Sequence, residues 1–164
     1  MSITRSAAAL AILGSLAGCA PPQRTVPAPA DSPASGQIEA AMQRYTLFTR
    51  TGPPDSSAAL FTADGELLEP GMRPLQGPEA IRAFLAPLWQ MVTVMKAVTT
   101  TDAIEVHGDV AYQWGAYDQV VAVRDQSPAD YHGRLVAEWR REPDGHWRIR
   151  RLLVQPSPPP VKHG

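Results

Sequence analysis

The hydrophobic period of this chain changes near Met91, and that change limits the folds open to it. Before Met91, apolar residues recur every three or four positions, which indicates amphipathic helices. After Met91, apolar residues alternate with polar ones and are often β-branched, which indicates strands with one buried face. Helices followed by a run of neighbouring antiparallel strands predict an α+β fold.

Three helices are predicted in the first half of the chain. The first has apolar residues at i, i+3, i+4, i+7 and i+10 on one face, namely Ile38, Ala41, Met42, Tyr45 and Phe48. Ser35 is a suitable N-cap for it, and Asp55 is a suitable N-cap for a short second helix that runs to Phe61. A brief strand over residues 65–70 precedes a third helix, which begins at Gly77 and Pro78.

The second half is predicted to form four strands, of which residues 92–106 are the first. His107-Gly108-Asp109 forms a turn, and the strand that follows, residues 110–123, is long enough that we expect it to bend near Gly115. Residues 131–141 and 146–155 form two more strands, joined by a hairpin at Pro143-Asp144-Gly145.

The N-terminus carries an export signal. Arg5 is followed by the apolar run 7–16, and Leu16-Ala17-Gly18-Cys19 contains the only cysteine of the chain. The segment resembles a bacterial lipoprotein signal, which implies that Cys19 is lipidated and becomes the first mature residue. Because Ala20 follows, the resemblance favours the outer membrane if the cell has two. A plain secretory signal and a buried free thiol are the alternatives.

Proline-rich segments flank the predicted domain. Residues 20–36 hold five prolines and are expected to be a disordered tether, and residues 156–164 a disordered tail. Residues 37–155 suit a single domain. The net charge of −1 and the lack of a lysine-rich run give no indication of a nucleic-acid partner.

Five short motifs, in order along the chain, resemble those of the SnoaL-like, nuclear-transport-factor-2-like superfamily. They are residues 59–64, 77–84, 108–111, 139–141 and 144–149. The resemblance covers almost the whole domain and implies a curved antiparallel sheet wrapped around N-terminal helices. Such a cone encloses an apolar cavity, and the superfamily includes isomerases, dehydratases and binding or assembly domains. The fold therefore does not fix the function.

Tyr45 and the pair Glu69-Pro70 resemble the catalytic positions of the ketosteroid isomerase branch. A carboxylate can remove a proton beside a carbonyl, and a phenol can stabilise the oxygen of the resulting enolate. At the position of a second acidic donor in that branch, this chain has Ala137. Tyr45 and Glu69 are therefore candidate catalytic residues, and the alternatives are a cavity-lining role without chemistry and no functional role.

Four aromatic residues are candidates for ligand contacts in the cavity, or else for core packing: Phe84, Trp89, Trp114 and Trp139. Trp139 shares strand parity with Leu135 and Ala137, whereas Trp114 is favoured by resemblance. Arg134, Arg140, Arg148, Arg150 and Arg151 predict a solvated sheet face, with an anionic ligand or a dimer interface as alternatives. No spacing indicates a metal site or a cofactor.

Two classes of function fit these features best. The first is a membrane-tethered domain that binds a small apolar ligand in its cavity, and the second is a cofactor-free isomerase or dehydratase that uses Glu69 and Tyr45. Assembly with a partner, including a homodimer, through the sheet face is a third. If Phe84, Trp89, Trp114 and Trp139 fill the cavity, assembly is favoured.

Replacing Cys19 tests the predicted anchor. Cys19→Ala removes the only thiol that can be acylated, so the unprocessed precursor should accumulate and take up no radiolabelled fatty acid. Normal lipid incorporation by this variant would contradict the lipoprotein prediction.

Overall fold

The computed structural model describes residues 32–158, so the predicted signal, Cys19, residues 20–31 of the tether and residues 159–164 of the tail lie outside the described residues. The elements, in chain order, are α1 (Pro33–Thr51), α2 (Pro54–Ala58), β1 (Phe61–Leu68), β2 (Leu75–Gln76), α3 (Gly77–Met91), β3 (Val92–His107), β4 (Val110–Val123), β5 (Ala129–Arg141) and β6 (Trp147–Pro156). Within this part of the chain no helix is both long and apolar enough to cross a membrane.

All six strands form one curved sheet, in the order β2-β1-β6-β5-β4-β3. Strands β3 to β6 are an antiparallel meander, and β1 joins it by pairing parallel to β6. The three helices come before β3, and α1 and α3 pack against the sheet. The prediction of an α+β fold with a curved, unclosed sheet around N-terminal helices is confirmed.

The helix starts differ from those predicted. Ser32, not Ser35, caps α1, because its Oγ accepts a hydrogen bond of 3.1 Å from the backbone N–H of Ser35 and Pro33 takes the first helical position. Residues 33–36 of the predicted tether therefore belong to α1. At α2 the N-cap is Pro53, which offers no side-chain acceptor, and Asp55 lies inside the helix.

Strand ends were predicted with mixed success. The bounds of β4 agree with the prediction, and β5 and β6 differ from it by one or two residues. In contrast, β1 begins at Phe61, four residues before the predicted start, because Phe61 and Thr62 are both buried beside β6.

A chain of polar side chains ties α1 to the inner face of the sheet. The indole Nε1 of Trp139 donates to Gln113 Oε1 at 3.0 Å, and Gln113 Nε2 donates to Thr101 Oγ1 at 2.7 Å. The Thr101 hydroxyl in turn donates to the carboxylate of Glu39 in α1. Because Gln113 is fully buried, these bonds satisfy polar groups that would otherwise destabilise the fold.

The expected bend at Gly115 lies where β3 is irregular. The register between β3 and β4 shifts between Thr101 and Ala103, which lie opposite Gly115 and Trp114. A Cβ atom at position 115 would be 2.0 Å from the carbonyl oxygen of Thr100. The close approach of the β3 and β4 backbones at this irregularity therefore requires glycine.

Replacing Gly115 with alanine should damage the fold at this bend. We expect Gly115→Ala to lower the free energy of unfolding by about 2–3 kcal/mol, because its Cβ must displace backbone rather than a side chain. Gly36→Ala is the control. Position 36 in α1 has no atom within 4 Å of an added Cβ, so that change should stabilise by about 0.5–1 kcal/mol. Equal effects in urea denaturation would contradict this account.

Candidate functional site

A cavity of about 410 Å³ lies between α1, α3 and the inner face of the sheet. Its walls are mostly apolar. α1 and α3 contribute Met42, Phe84, Leu85, Leu88 and Trp89, and the sheet contributes valine, leucine and tyrosine side chains. Along β3 and β4 the paired residues Val94 and Val121, and Val92 and Val123, form one wall. The arrangement suits a small ligand whose surface is mainly apolar.

Tyr45 and Glu69 both line this cavity. Tyr45 projects from the buried face of α1, and its ring packs edge-on against Phe61, with 6.0 Å between the ring centroids. Glu69 follows the last residue of β1, and the turn at Pro70 and Gly71 ends the strand there. The structure therefore brings together the two residues that the sequence singled out as catalytic candidates.

The cavity changes the acidity of both groups. Burial raises the pKa of Glu69 above its usual 4.5, because a carboxylate loses hydration there. Burial also raises the pKa of Tyr45 well above its usual 10, and the negative charge of Glu69 raises it further. Tyr45 is thus a neutral phenol that can donate a hydrogen bond, and Glu69 is a carboxyl group poised to hold or take a proton.

A second tyrosine, Tyr117 of β4, lines the same cavity as Tyr45. Burial raises the pKa of Tyr117, and the charge of Glu69 adds to the effect. Sequence reasoning did not select Tyr117, although it has the strand parity of the buried residues Ala111 and Gln113. That alternation is the signal that could have found it.

The four aromatic candidates divide into two pairs. Phe84 and Trp89 of α3 line the cavity. Trp139 does not. It is fully buried in the core, where its indole bonds to Gln113. Trp114 does not line the cavity either, and its placement there was wrong. The register between β4 and β5 is unbroken, so alternation keeps Trp114 on the outer face beside Val136.

Ala137 faces inwards but lies in the packed core rather than in the cavity wall. Its neighbour Glu138 has the opposite orientation, as strand parity predicts, and pairs with Arg151 on the outer face at 2.6 Å. No acidic residue therefore enters the cavity from this part of β5.

The five arginines selected on the last two strands are held in ion pairs, namely Arg134, Arg140, Arg148, Arg150 and Arg151. Arg140 contacts Asp64 at 2.7 Å and Glu142 at 2.9 Å, and Arg151 bridges Glu66 and Glu138. A hydrogen bond from the Thr62 hydroxyl is the main cause that lowers the pKa of Asp64. A hydrogen bond from Arg140 and its positive charge lower that pKa further. These contacts favour a solvated sheet face over an anion-binding site, since the cations already have partners.

Metal binding has no support in the part of the chain that the structure covers. Within residues 32–158, no three His, Cys, Asp or Glu side chains group closely enough to hold a metal ion. Cys19, the predicted lipidation site, lies outside these residues.

The architecture is the nuclear-transport-factor-2-like fold that the sequence motifs predicted, with a cavity inside a curved sheet. The chain belongs to the SnoaL-like domain family, because the sequence model of that family matches residues 31–152. The resemblance inferred from the motifs is thereby confirmed for the domain.

Solved structures share this fold. A ketosteroid isomerase-like protein from Erwinia carotovora atroseptica matches with a TM-score of 0.69 and 17% identity, over 76% of this chain and 96% of that one. A protein of unknown function from Mycobacterium tuberculosis matches with a TM-score of 0.66 and 27% identity, over 74% of each chain. ActVI-ORFA from Streptomyces coelicolor matches with a TM-score of 0.65 and 16% identity, over 76% of this chain and 98% of that one. No curated protein matches this chain.

Removing the charge of Glu69 should stabilise the fold. The pKa of Glu69 is raised on folding, so the folded state binds the proton more tightly and loses stability as pH rises from about 4.5 through the folded pKa. The neutral side chain of the Glu69→Gln variant does not ionise, so its fold does not lose stability in this way as the pH rises. We expect its melting temperature to exceed that of the wild type at pH 7, with the gain disappearing near pH 4.

The control for this measurement is Glu66→Gln. Glu66 bridges Arg150 and Arg151 on the outer face, so its neutralisation removes favourable contacts and should give no gain at pH 7. A Glu69→Gln variant that melts below the wild type at pH 7 would contradict the claim that the charged carboxylate of Glu69 destabilises the fold.

Proposed function

We propose that this protein binds a small, mostly apolar ligand that carries an oxygen atom, and that it does so in the cavity of its SnoaL-like domain. The observation that carries the proposal is the placement of Tyr45 and Glu69 together in the wall of one mostly apolar cavity. An apolar wall selects the body of the ligand, and a few polar groups orient it.

The size and openness of the cavity support binding. A volume of about 410 Å³ falls within the usual range for small-molecule sites, roughly 300–1,000 Å³. Phe84 and Trp89 line this space without filling it, and Trp114 and Trp139 lie elsewhere. The cavity is therefore formed before a ligand enters, so little binding energy is spent on opening it.

Glu69 argues for a specific ligand rather than for passive packing. Burying a carboxyl group without a charged partner is unfavourable, and a chain selected only for stability would replace it. Retention of such a group in an apolar wall is typical of a functional site. A hydroxyl or an acidic C–H group of the ligand would supply a polar contact to this carboxylate.

The domain is proposed to act at a membrane surface of the bacterial cell envelope. Lipidated Cys19 would be the anchor and the proline-rich segment 20–31 would be the spacer, with the outer membrane favoured in a cell that has two. The lipoprotein-like signal supports this part of the proposal, and acyl chains of this kind give stable anchoring.

A cofactor-free isomerase or dehydratase is the second candidate, and the raised pKa of Glu69 favours it. In an isomerisation, Glu69 would take a proton from the carbon beside a ligand carbonyl. Tyr45 would donate to the oxygen as its negative charge develops, and Glu69 would return the proton to another carbon. A base with a pKa nearer to the working pH is more effective in such a step.

Assembly through the sheet face has less support. A cavity filled by the four aromatic residues would have favoured assembly, but these residues do not fill it. The outer face does expose Tyr112, Val136 and Leu153, each by 42–45%. A homodimer through this face is therefore kept as a proposal, and its test is the mass of the lipid-free domain by sedimentation.

Binding can be tested with tetralin, a bicyclic hydrocarbon that is small enough for the cavity. We expect the wild type to bind it, and Val121→Trp to weaken binding at least about tenfold because the indole occupies part of the cavity. Val136→Trp, on the exposed outer face of β5, is the matched control and should leave the dissociation constant unchanged. Equal loss in both variants, or no binding by the wild type, would contradict the proposal.

Catalysis can be tested by deuterium exchange at the α-carbon of 1-tetralone, followed by mass spectrometry. Glu69→Gln should abolish exchange above the background rate, because it removes the base at nearly constant volume. Tyr45→Phe should slow exchange by about 10²–10³-fold if the phenol stabilises the enolate oxygen. Wild-type exchange no faster than that of Glu69→Gln would eliminate the enzyme and leave the binding domain.

A further inference from the structure

We infer that Tyr117 is a second hydrogen-bond donor to the ligand oxygen that Tyr45 contacts, so that the oxygen is held between α1 and β4. The inference rests on the proposed function of the cavity and names the group that would recognise the ligand within it. The chemical class of ligand is a compact apolar molecule with one carbonyl oxygen, since the two lone pairs of such an oxygen can accept from two phenols at once.

A pair of threonines links the helix that carries Tyr45 to the strand next to Tyr117. Thr99 of β3 is the direct cross-strand partner of Tyr117. The hydroxyl of Thr99 forms a hydrogen bond of 2.7 Å with the hydroxyl of Thr46, which follows Tyr45 in α1. Tyr45 and Tyr117 therefore flank one contact between the helix and the sheet, and both side chains enter the cavity.

The lack of a side chain at a neighbouring glycine leaves space for the ring of Tyr117. Gly133 of β5 is paired with Tyr117, and it is buried. A Cβ atom at position 133 would lie 2.8 Å from the Tyr117 hydroxyl oxygen and 2.8 Å from its ring atom Cε1. The phenol thus lies across the space that a side chain on β5 would occupy, and a larger residue at position 133 would displace it.

The polar groups of the cavity wall complement a carbonyl. Burial raises the pKa values of Tyr45 and Tyr117, and the charge of Glu69 raises both further. Both phenols therefore remain neutral donors, and they line the same cavity as Glu69. A ligand carbonyl could accept from both phenols while the adjacent carbon faces Glu69.

A matched pair of probes isolates the contribution of the oxygen. 1-Tetralone and tetralin differ by one carbonyl, so the ratio of their dissociation constants reports the hydrogen bonds that the oxygen receives. We expect Tyr117→Phe to reduce the preference for the ketone roughly fivefold, with little change in tetralin binding. Tyr45→Phe should have a similar effect, and Tyr112→Phe, on the outer face, should have none.

The outcomes separate this inference from the proposed function. If the wild type binds neither probe, the proposed function fails, and the inference fails with it. If both probes bind and Tyr117→Phe keeps the wild-type ratio while Tyr45→Phe lowers it, the inference alone is overturned.

A second measurement needs no substitution at position 117. The chain has four tyrosines, so a sample labelled with ¹³C at Cζ gives four signals, which Tyr45→Phe, Tyr112→Phe and Tyr131→Phe assign by elimination. We expect 1-tetralone, but not tetralin, to shift the signals of both Tyr45 and Tyr117. A shift of the Tyr45 signal without one at Tyr117 would overturn the inference.

Discussion

The attachment of α1 to the sheet is the interaction on which the rest of the site depends. Glu39, Thr101, Gln113 and Trp139 form a continuous chain of hydrogen bonds from the helix to the buried core. A second contact, between Thr46 and Thr99, lies further along the same helix. Directional bonds of this kind fix the position and rotation of α1 more tightly than apolar packing alone. They hold the helix across the sheet without filling the space beside it.

Because α1 is fixed at these points, Tyr45 has one orientation into the cavity, and packing against Phe61 supports it. The core that stabilises the domain lies next to this space, around Ile38, Leu67 and Ile149. The cavity can therefore remain open while the fold keeps its apolar burial. Glu69 is placed in the wall of that open space at a cost in stability, which is the usual relation between a functional site and its scaffold.

Much of the fold could be predicted from the sequence because local patterns determine it. The change of period at Met91, the turn at Gly108 and the extent of β4 follow from apolar spacing and turn residues. Helix starts were less accurate. Ser32 and Ser35 are both good caps, and the feature that favours Ser32 is Pro33, which takes the first helical position directly after it.

The candidate site was predicted in part. Tyr45 and Glu69 were found by motif, and the structure places both in the cavity wall. Trp114 was placed in the cavity by resemblance, because an expected bend in β4 left its inward face undecided; the irregularity lies in β3 and leaves β4 in register with β5. Of the two roles predicted for Trp139, ligand contact or core packing, the structure shows core packing, in which Gln113 accepts from the buried indole. Such pairing between distant strands is not visible in local sequence.

The most direct test of the central claim is to locate the ligand site by methyl NMR. The soluble domain, with its valine and leucine methyl groups labelled, is titrated with 1-tetralone. Binding in the cavity predicts shifts at Val94, Val121 and Leu135, which line it, and none at Val136 and Leu153 on the outer face. Shifts confined to Val136 and Leu153, or no shifts at saturating probe, would contradict the claim that this cavity is the binding site.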